Sequence, residues 1–375
     1  MLEKPKSASA NLKPEAQLLL CCASTQMEAD NAEEIIRLLK KDIDWNYLLD
    51  LASGHNCVPL LYRSLEAVSS AVVPETIRAE LKKQIQVNIQ GNLYLTRELL
   101  HLLALFKQHG IQVLPYKGPV LAASVYGDLA LRPSNDLDIL VHERDILQAM
   151  DLLISCGYEI LRPSIVADEE KSLQSFLVRK LVKNSPWAYQ LVLWHPERQV
   201  VVELHWRITP KYIFPNSSEQ LWEDLKPIPL GEVTVYSFAP ENLLWFLCVH
   251  GTKHQWKRLI WLCDIAELIH AYPNLNWGRV ATQASKLGVE RRVHLGLLLA
   301  NCLLKVPLPE TMDKKIMIVP HIKDLAQQVM ESIFDGAEQT VGFQYLARFN
   351  FQLRAMDHIA DRGRYLWRFA RGSMQ

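Results

Sequence analysis

The spacing of apolar residues changes period twice along the chain, and this limits the order in which elements can fold. From Glu15 to about Gln108 apolar residues recur at i, i+3 and i+4: Leu18, Leu19 and Cys22, then Ile35, Ile36, Leu38 and Leu39, then Leu95, Leu99, Leu102 and Leu103. That is the signature of amphipathic helices. Asp44 before Trp45 reads as a helix N-cap. At His109-Gly110 the pattern breaks. Ile111–Leu114 reads as a short buried strand, and Pro119 starts a helix through Val125. Asp136–Val141 alternates charged and apolar and reads as a strand, Asp145–Cys156 as a helix, and Gln190–Trp194 with Val200–Ile208 as a hairpin. Val233–Phe238 is another short strand. From Pro240 helical spacing returns, with long helices around 241–270 and 281–304 and a basic, aromatic helix over Phe349–Phe369. The order helix, mixed centre, helix predicts an α+β protein. It divides into an N-terminal helical region (1–108), an αβ core (109–239) and a C-terminal helical region (240–375). Residues 1 to about 15 read as a loose arm.

Composition narrows the partners. The 375 residues carry 41 Lys+Arg against 41 Asp+Glu, and 49% are hydrophobic, which excludes disorder as the main state. Zero net charge leaves nucleic acid a disfavoured partner, because phosphate binding normally needs a basic excess. Seven cysteines with no CxxC pair argue against a disulfide framework and for a reducing compartment. Leu18–Cys22, the longest apolar run near the N-terminus, is too short for a signal core or a membrane span, so the expected location is the cytoplasm, with no membrane partner.

The chemistry concentrates around Asp136-Leu137-Asp138-Ile139-Leu140-Val141. In a strand, residues two apart share a face, so Asp136 and Asp138 project together while Leu137, Ile139 and Val141 turn to the core. Two carboxylates that close repel unless a cation sits between them, and Mg²⁺ (or Mn²⁺) is the natural one. A bare D-x-D is usually a solvated strand face. Here the pair lies in a strongly apolar strand, Lys117-Gly118 opens a helix upstream, and Arg132 precedes the first Asp. Gly118 lets backbone approach a phosphate, Lys117 adds a point charge, and Arg132 would clamp a triphosphate, its bland alternative being a surface ion pair. No Walker A loop occurs.

The run K-G-P-V-L-A…Y-G-D…R-P-S-N-D-L-D-I-L-V resembles the uncharacterised bacterial nucleotidyltransferase family of the polymerase-β-like superfamily. Asp44-Trp45…His55…Pro59-Leu60-Leu61-Tyr62 upstream, and Glu203-Leu204-His205-Trp206 with His250-Gly251…His254…Trp256…Trp261…Asp264-Ile265-Ala266 downstream, extend the resemblance over most of the chain. It implies three carboxylates on a small mixed sheet: Asp136, Asp138 and, on a later strand, Glu203. That glutamate shares a strand face with Val201, His205 and Arg207, so a cross-strand salt bridge is its plainer alternative. The sequence departs from the superfamily's usual Gly-Ser or Gly-Gly helix start, having Gly118-Pro119.

Taken together, the expected activity is metal-dependent transfer of a nucleoside monophosphate from an NTP to a hydroxyl of a small molecule, a peptide or protein, or an RNA end. Asp136, Asp138 and Glu203 would be catalytic and hold the metal. Lys117, Gly118, Arg132, His205 and His254 would bind the nucleotide. The alternative is a catalytically weak nucleotide- or peptide-binding module of the same fold. His250 and His254 fall at i, i+4 beside several tryptophans; they read as core or cleft wall, since no complete four-ligand zinc spacing accompanies them. Lys253 and Trp256 are further candidates for a base or acceptor contact. Arg362, Arg364, Arg368 and Arg371 read as a solvated helix face. Hydrolase chemistry has no G-x-S-x-G to rest on.

Overall fold

Both changes of period reappear as changes of structure. The computed structural model describes residues 12–69, 72–161, 188–210, 221–334 and 341–370. Five helices come first: α1 (Pro14–Cys22), α2 (Ala29–Leu39), α3 (Trp45–Gly54), α4 (Val58–Ser69) and the long α5 (Glu75–Gln108). The expected N-terminal arm falls on residues outside those described as far as 11, and α1 already begins at Pro14. Asp44 caps α3 as its sequence suggests, its carboxylate accepting from the Tyr47 N–H.

The centre is α+β. Strand β1 (Val113–Pro115), helix α6 (Gly118–Leu121) with a π turn at Ala122–Tyr126, β2 (Leu137–Val141), α7 (Ile146–Ser155), β3 (Glu159–Ile160), β4 (Gln190–His195) and β5 (Val200–His205) follow. The strands form one mixed sheet in the order β1-β2-β5-β4-β3. β2 and β5 pair in parallel, with Asp138 opposite Glu203; all other pairs are antiparallel. A hairpin of β6 (Lys226–Leu230) and β7 (Val233–Ser237) forms a second, two-stranded sheet.

The remaining helices are α8 (Pro240–Lys253), α9 (Ile260–Ala271), α10 (Trp277–Leu287), α11 (Glu290–Leu304), α12 (Glu310–Met317), α13 (Ile322–Ser332), α14 (Val341–Arg354) and α15 (Ile359–Ala370). Three single helices expected from the sequence, 241–270, 281–304 and the tail, are thus each divided, the second at Gly288, which takes φ +64° after Leu287. The 241–270 helix stops because Trp256 N–H bonds the Gly251 carbonyl and Gln255 N–H that of Thr252, with Gln255 and Trp256 both at positive φ. This is a Schellman-type stop made without a terminal glycine. In the tail, Arg362 bonds the Met356 carbonyl across the break between α14 and α15.

The chain divides into two compact units. One holds residues 1–89, 125–133 and 240–375; the other holds residues 90–124 and 134–239. Residues 1–89 of the N-terminal helical region and the C-terminal helices fall in one unit, while the rest of α5 falls in the other. Among the described residues no helix is long and apolar enough to cross a membrane.

Candidate active site

Strand alternation places the key side chains of the sheet unit. On β5, Val200, Val202 and Leu204 are buried in the core while Val201 and Glu203 are half-exposed. On β2, Asp138 lies between buried Leu137 and Ile139. Residues paired in parallel register point to the same face, so Asp138 and Glu203 are neighbours there, and His205 follows Glu203 on that face.

Among the described residues, Asp138, Glu203 and His205 form a group whose donor atoms all lie within 4.8 Å of one another. His205 Nε2 is 3.4 Å from Asp138 Oδ1 and 3.3 Å from Glu203 Oε2. Lys117, at the mouth of α6, donates from Nζ to the same Asp138 Oδ1 at 2.5 Å. Asp138 is only 2% exposed. Burial pushes its carboxyl pKa up, but the Lys117 charge, with help from the adjacent His205, outweighs burial and holds it well below the usual carboxylate range. Lys117 shows the reverse balance. Burial lowers its pKa, and the negative charges of Asp138, Asp136 and Glu203 more than compensate, leaving it above the ordinary lysine value. Asp136 precedes β2 and is half-buried; its charge reaches Lys117 although it is outside the three-residue group.

These residues fit a divalent cation. Asp138 Oδ2 is fully buried and has no hydrogen-bond partner among the described residues. An orphaned carboxylate oxygen is costly in a native core unless an ion satisfies it. The donors, two carboxylates and an imidazole, are those that bind divalent metals.

The backbone beside the group is built around Gly118. Its φ is +56°, and a Cβ there would stand 3.2 Å from the Asp136 carbonyl oxygen, so only glycine holds this turn without strain. The approach to β2 is fixed from α5, where the buried Asn92 Oδ1 accepts from the Ser134 N–H at 3.2 Å. Tyr116, also buried, sets its ring edge-on to His205 at 5.6 Å and against Phe238 at 5.1 Å. Sequence reading passed over Tyr116 and Asn92, because a buried tyrosine after a strand and a helical asparagine carry no local signal. The place of His205 between the two acids follows from the same period of two that singled out Glu203.

Two sequence candidates have other partners, in the helical unit. Arg132 is buried and makes a forked pair with Asp264, Nε to Oδ1 at 2.7 Å and Nη2 to Oδ2 at 2.9 Å. Tyr126 Oη adds a third bond to Oδ1 at 2.7 Å. The guanidinium expected to clamp phosphate is thus engaged by a carboxylate. His254 packs its ring 4.7 Å from that of His250 and 5.1 Å from that of Trp261. Trp256, read as a candidate for contact with a base or acceptor, is fully buried; a Cβ on Gly251 would come within 2.2 Å of its ring. That glycine admits an indole into the core. His55 is likewise structural: its Nδ1 accepts from the Leu259 N–H at 3.1 Å and its carbonyl from Ile260. In the tail Arg364 pairs with Asp361, while the side chain of Arg368 and residue Arg371 lie outside the described residues.

A small mixed sheet with two acids on adjacent parallel strands, a lysine bonded to one of the acids and a positive-φ glycine beside them defines a candidate metal-binding site. The family described as uncharacterised nucleotidyltransferase has a model that matches residues 41–305, and the chain belongs to that family. The match takes in Lys117, Asp136, Asp138, Glu203 and His205. No curated protein matches the chain.

Proposed function

We propose that the chain is a metal-dependent nucleotidyltransferase of the polymerase-β-like kind, moving a nucleoside monophosphate from an NTP to a hydroxyl acceptor. The observation that carries this reading is the buried Asp138, paired in register with Glu203 and left with one unsatisfied oxygen, in a chain of a nucleotidyltransferase family. Asp138, Glu203 and Asp136 would hold the divalent ion. Bound there, it supplies positive charge for the phosphates and lowers the pKa of the acceptor hydroxyl.

The protein's own residues do the rest. The acceptor oxygen forms a bond to the α-phosphorus, the bond from that phosphorus to the bridging oxygen breaks, and pyrophosphate leaves. Glu203, half-exposed beside Asp138, is placed to accept the acceptor's proton. Lys117 is a local cation for the phosphates, and the Gly118 turn lets the main chain approach them. Arg132, forked on Asp264, and His254, packed against His250 and Trp261, are given no step.

The test supplies each NTP, labelled at the α-phosphate, with Mg²⁺ or Mn²⁺ and panels of small hydroxyl compounds, peptides and RNA ends, and follows pyrophosphate release and label transfer. The reading expects metal-dependent transfer that Asp136→Asn/Asp138→Asn abolishes. Transfer that persists in the folded double variant overturns it. Metal-dependent NTP binding with no transfer to any acceptor class supports a binding module instead.

A further inference from the structure

The donor set at this site is not the all-oxygen set that Mg²⁺ prefers. We propose that His205 is itself a metal ligand, and that the site takes a first-row transition ion, with Mn²⁺ as its working representative, in preference to Mg²⁺. This rests on the metal-site reading above and goes beyond it in naming the nitrogen ligand and the class of ion.

His205 is buried among acids, its side chain 5% exposed, and neither ring nitrogen makes a hydrogen bond among the described residues. A buried imidazole with both nitrogens unsatisfied carries a desolvation cost that a structural histidine normally avoids. His55 shows the avoided case: equally buried, it accepts a main-chain hydrogen bond at 3.1 Å. His205 Nε2 instead lies nearly midway between two carboxylates, 3.4 Å from Asp138 Oδ1 and 3.3 Å from Glu203 Oε2. An ion between these atoms would satisfy the nitrogen and both acids together.

The position is also held from outside the acids. His205 is on β5, its backbone paired with Gln190 of β4 and registered with Leu140 of β2, and the Tyr116 ring packs edge-on to it. The imidazole is therefore placed by the sheet and an aromatic neighbour. Chemistry then chooses the ion. Mg²⁺ is a hard cation that binds oxygen and keeps its waters, whereas imidazole suits first-row transition ions. Mn²⁺ shares the oxygen ligands of Mg²⁺, but as a first-row transition ion it also takes an imidazole nitrogen, so one nitrogen among oxygens tilts the choice toward it without excluding the phosphate chemistry both ions support.

The experiment uses the full chain with Mn²⁺ alone and no nucleotide. Loss of the free hexaaqua Mn²⁺ signal gives the affinity, Mg²⁺ competition gives the preference, and pulsed electron paramagnetic resonance reports whether a nitrogen is bound. The wild type is expected to show an imidazole ¹⁴N coupling that converts to ¹⁵N in protein grown with ¹⁵N-histidine. That arm needs no variant and is independent of any folding defect. His205→Asn is expected to lose the coupling and to narrow the Mn²⁺ over Mg²⁺ preference by about tenfold or more. Bound Mn²⁺ without histidine coupling, an unchanged preference in folded His205→Asn, or no Mn²⁺ binding by the folded wild type overturns the proposal. Nucleotide transfer with Mg²⁺ but no histidine coupling would keep the functional reading and discard this one. Coupling with no transfer would do the reverse.

Discussion

Two buried aspartates, one in each unit, differ in a way that separates structure from function. Asp264 is 1% exposed and has both oxygens engaged, by the Arg132 fork and by Tyr126. Asp138 is 2% exposed and has one oxygen on Lys117 and the other unsatisfied. A protein that only needed a buried charge for its core would complete it, as at Asp264, because an uncompensated buried oxygen is costly. Asp138 keeps open valence, next to a second acid and an unsatisfied imidazole. Burial does not distinguish the two aspartates; the partners of their oxygens do, and at Asp138 the open oxygen stands beside a second acid and an imidazole.

Asp138→Asn removes a charge but little volume, and nucleotide transfer is expected to fall on the order of 10⁴-fold, equivalent to about 5 kcal/mol of transition-state stabilisation. Steady-state kinetics on the folded variant measures it. Its loss of stability should be smaller than that of Asp264→Asn, because Asp136 and Glu203 still act on Lys117. Asp264→Asn strands the Arg132 guanidinium in the core and is expected to cost about 3–5 kcal/mol in denaturant unfolding. If the two stability losses come out equal, the distinction between them fails.

A third probe sets the satisfied histidine against acid. Burial, with help from the Arg258 charge, lowers the pKa of His55 from its ordinary 6.5 to about 4. Between those values the unfolded chain binds the proton and the folded one does not, so stability falls as pH drops from 6.5 toward 4. The contribution is on the order of 3 kcal/mol at most. His55→Asn, which keeps an acceptor but cannot charge, should flatten that part of the pH–stability curve. An unchanged slope would remove His55 as its source.

The smallest effect belongs to the backbone. Gly118→Ala forces a side chain into positive φ and against the Asp136 carbonyl, at a cost of about 1–2 kcal/mol in stability. Nucleotide affinity should fall with it, since the turn borders the acids. Binding and unfolding measured on one preparation check both.

Much of this was legible in the sequence because it depends on period. The alternation through Asp136–Val141 and Val200–Ile208 located β2 and β5 and put Asp138 and Glu203 on core-bordering strands. The N-cap at Asp44 and the hairpin of β4 and β5 follow from equally local rules. What escaped depends on contacts distant in sequence. β6 is Lys226-Pro227-Ile228-Pro229-Leu230, and two prolines without N–H donors hide a strand that pairs only with β7. β3, at two residues, is too short to show a period. The stop after α8 uses Gln255 and Trp256 at positive φ where glycine would normally announce it. Arg132 reads as a phosphate ligand from its place among the motif residues. That Asp264, far along the chain, completes its fork is visible only once the helices are packed.

Metal-dependent NTP binding, measured side by side for the wild type, Asp138→Asn and Arg132→Lys, is the most direct test of the site. Arg132→Lys keeps the cation beside Asp264 but loses the fork. Binding is expected to be lost in Asp138→Asn and retained in folded Arg132→Lys. Retention in Asp138→Asn, or loss in folded Arg132→Lys, would contradict it.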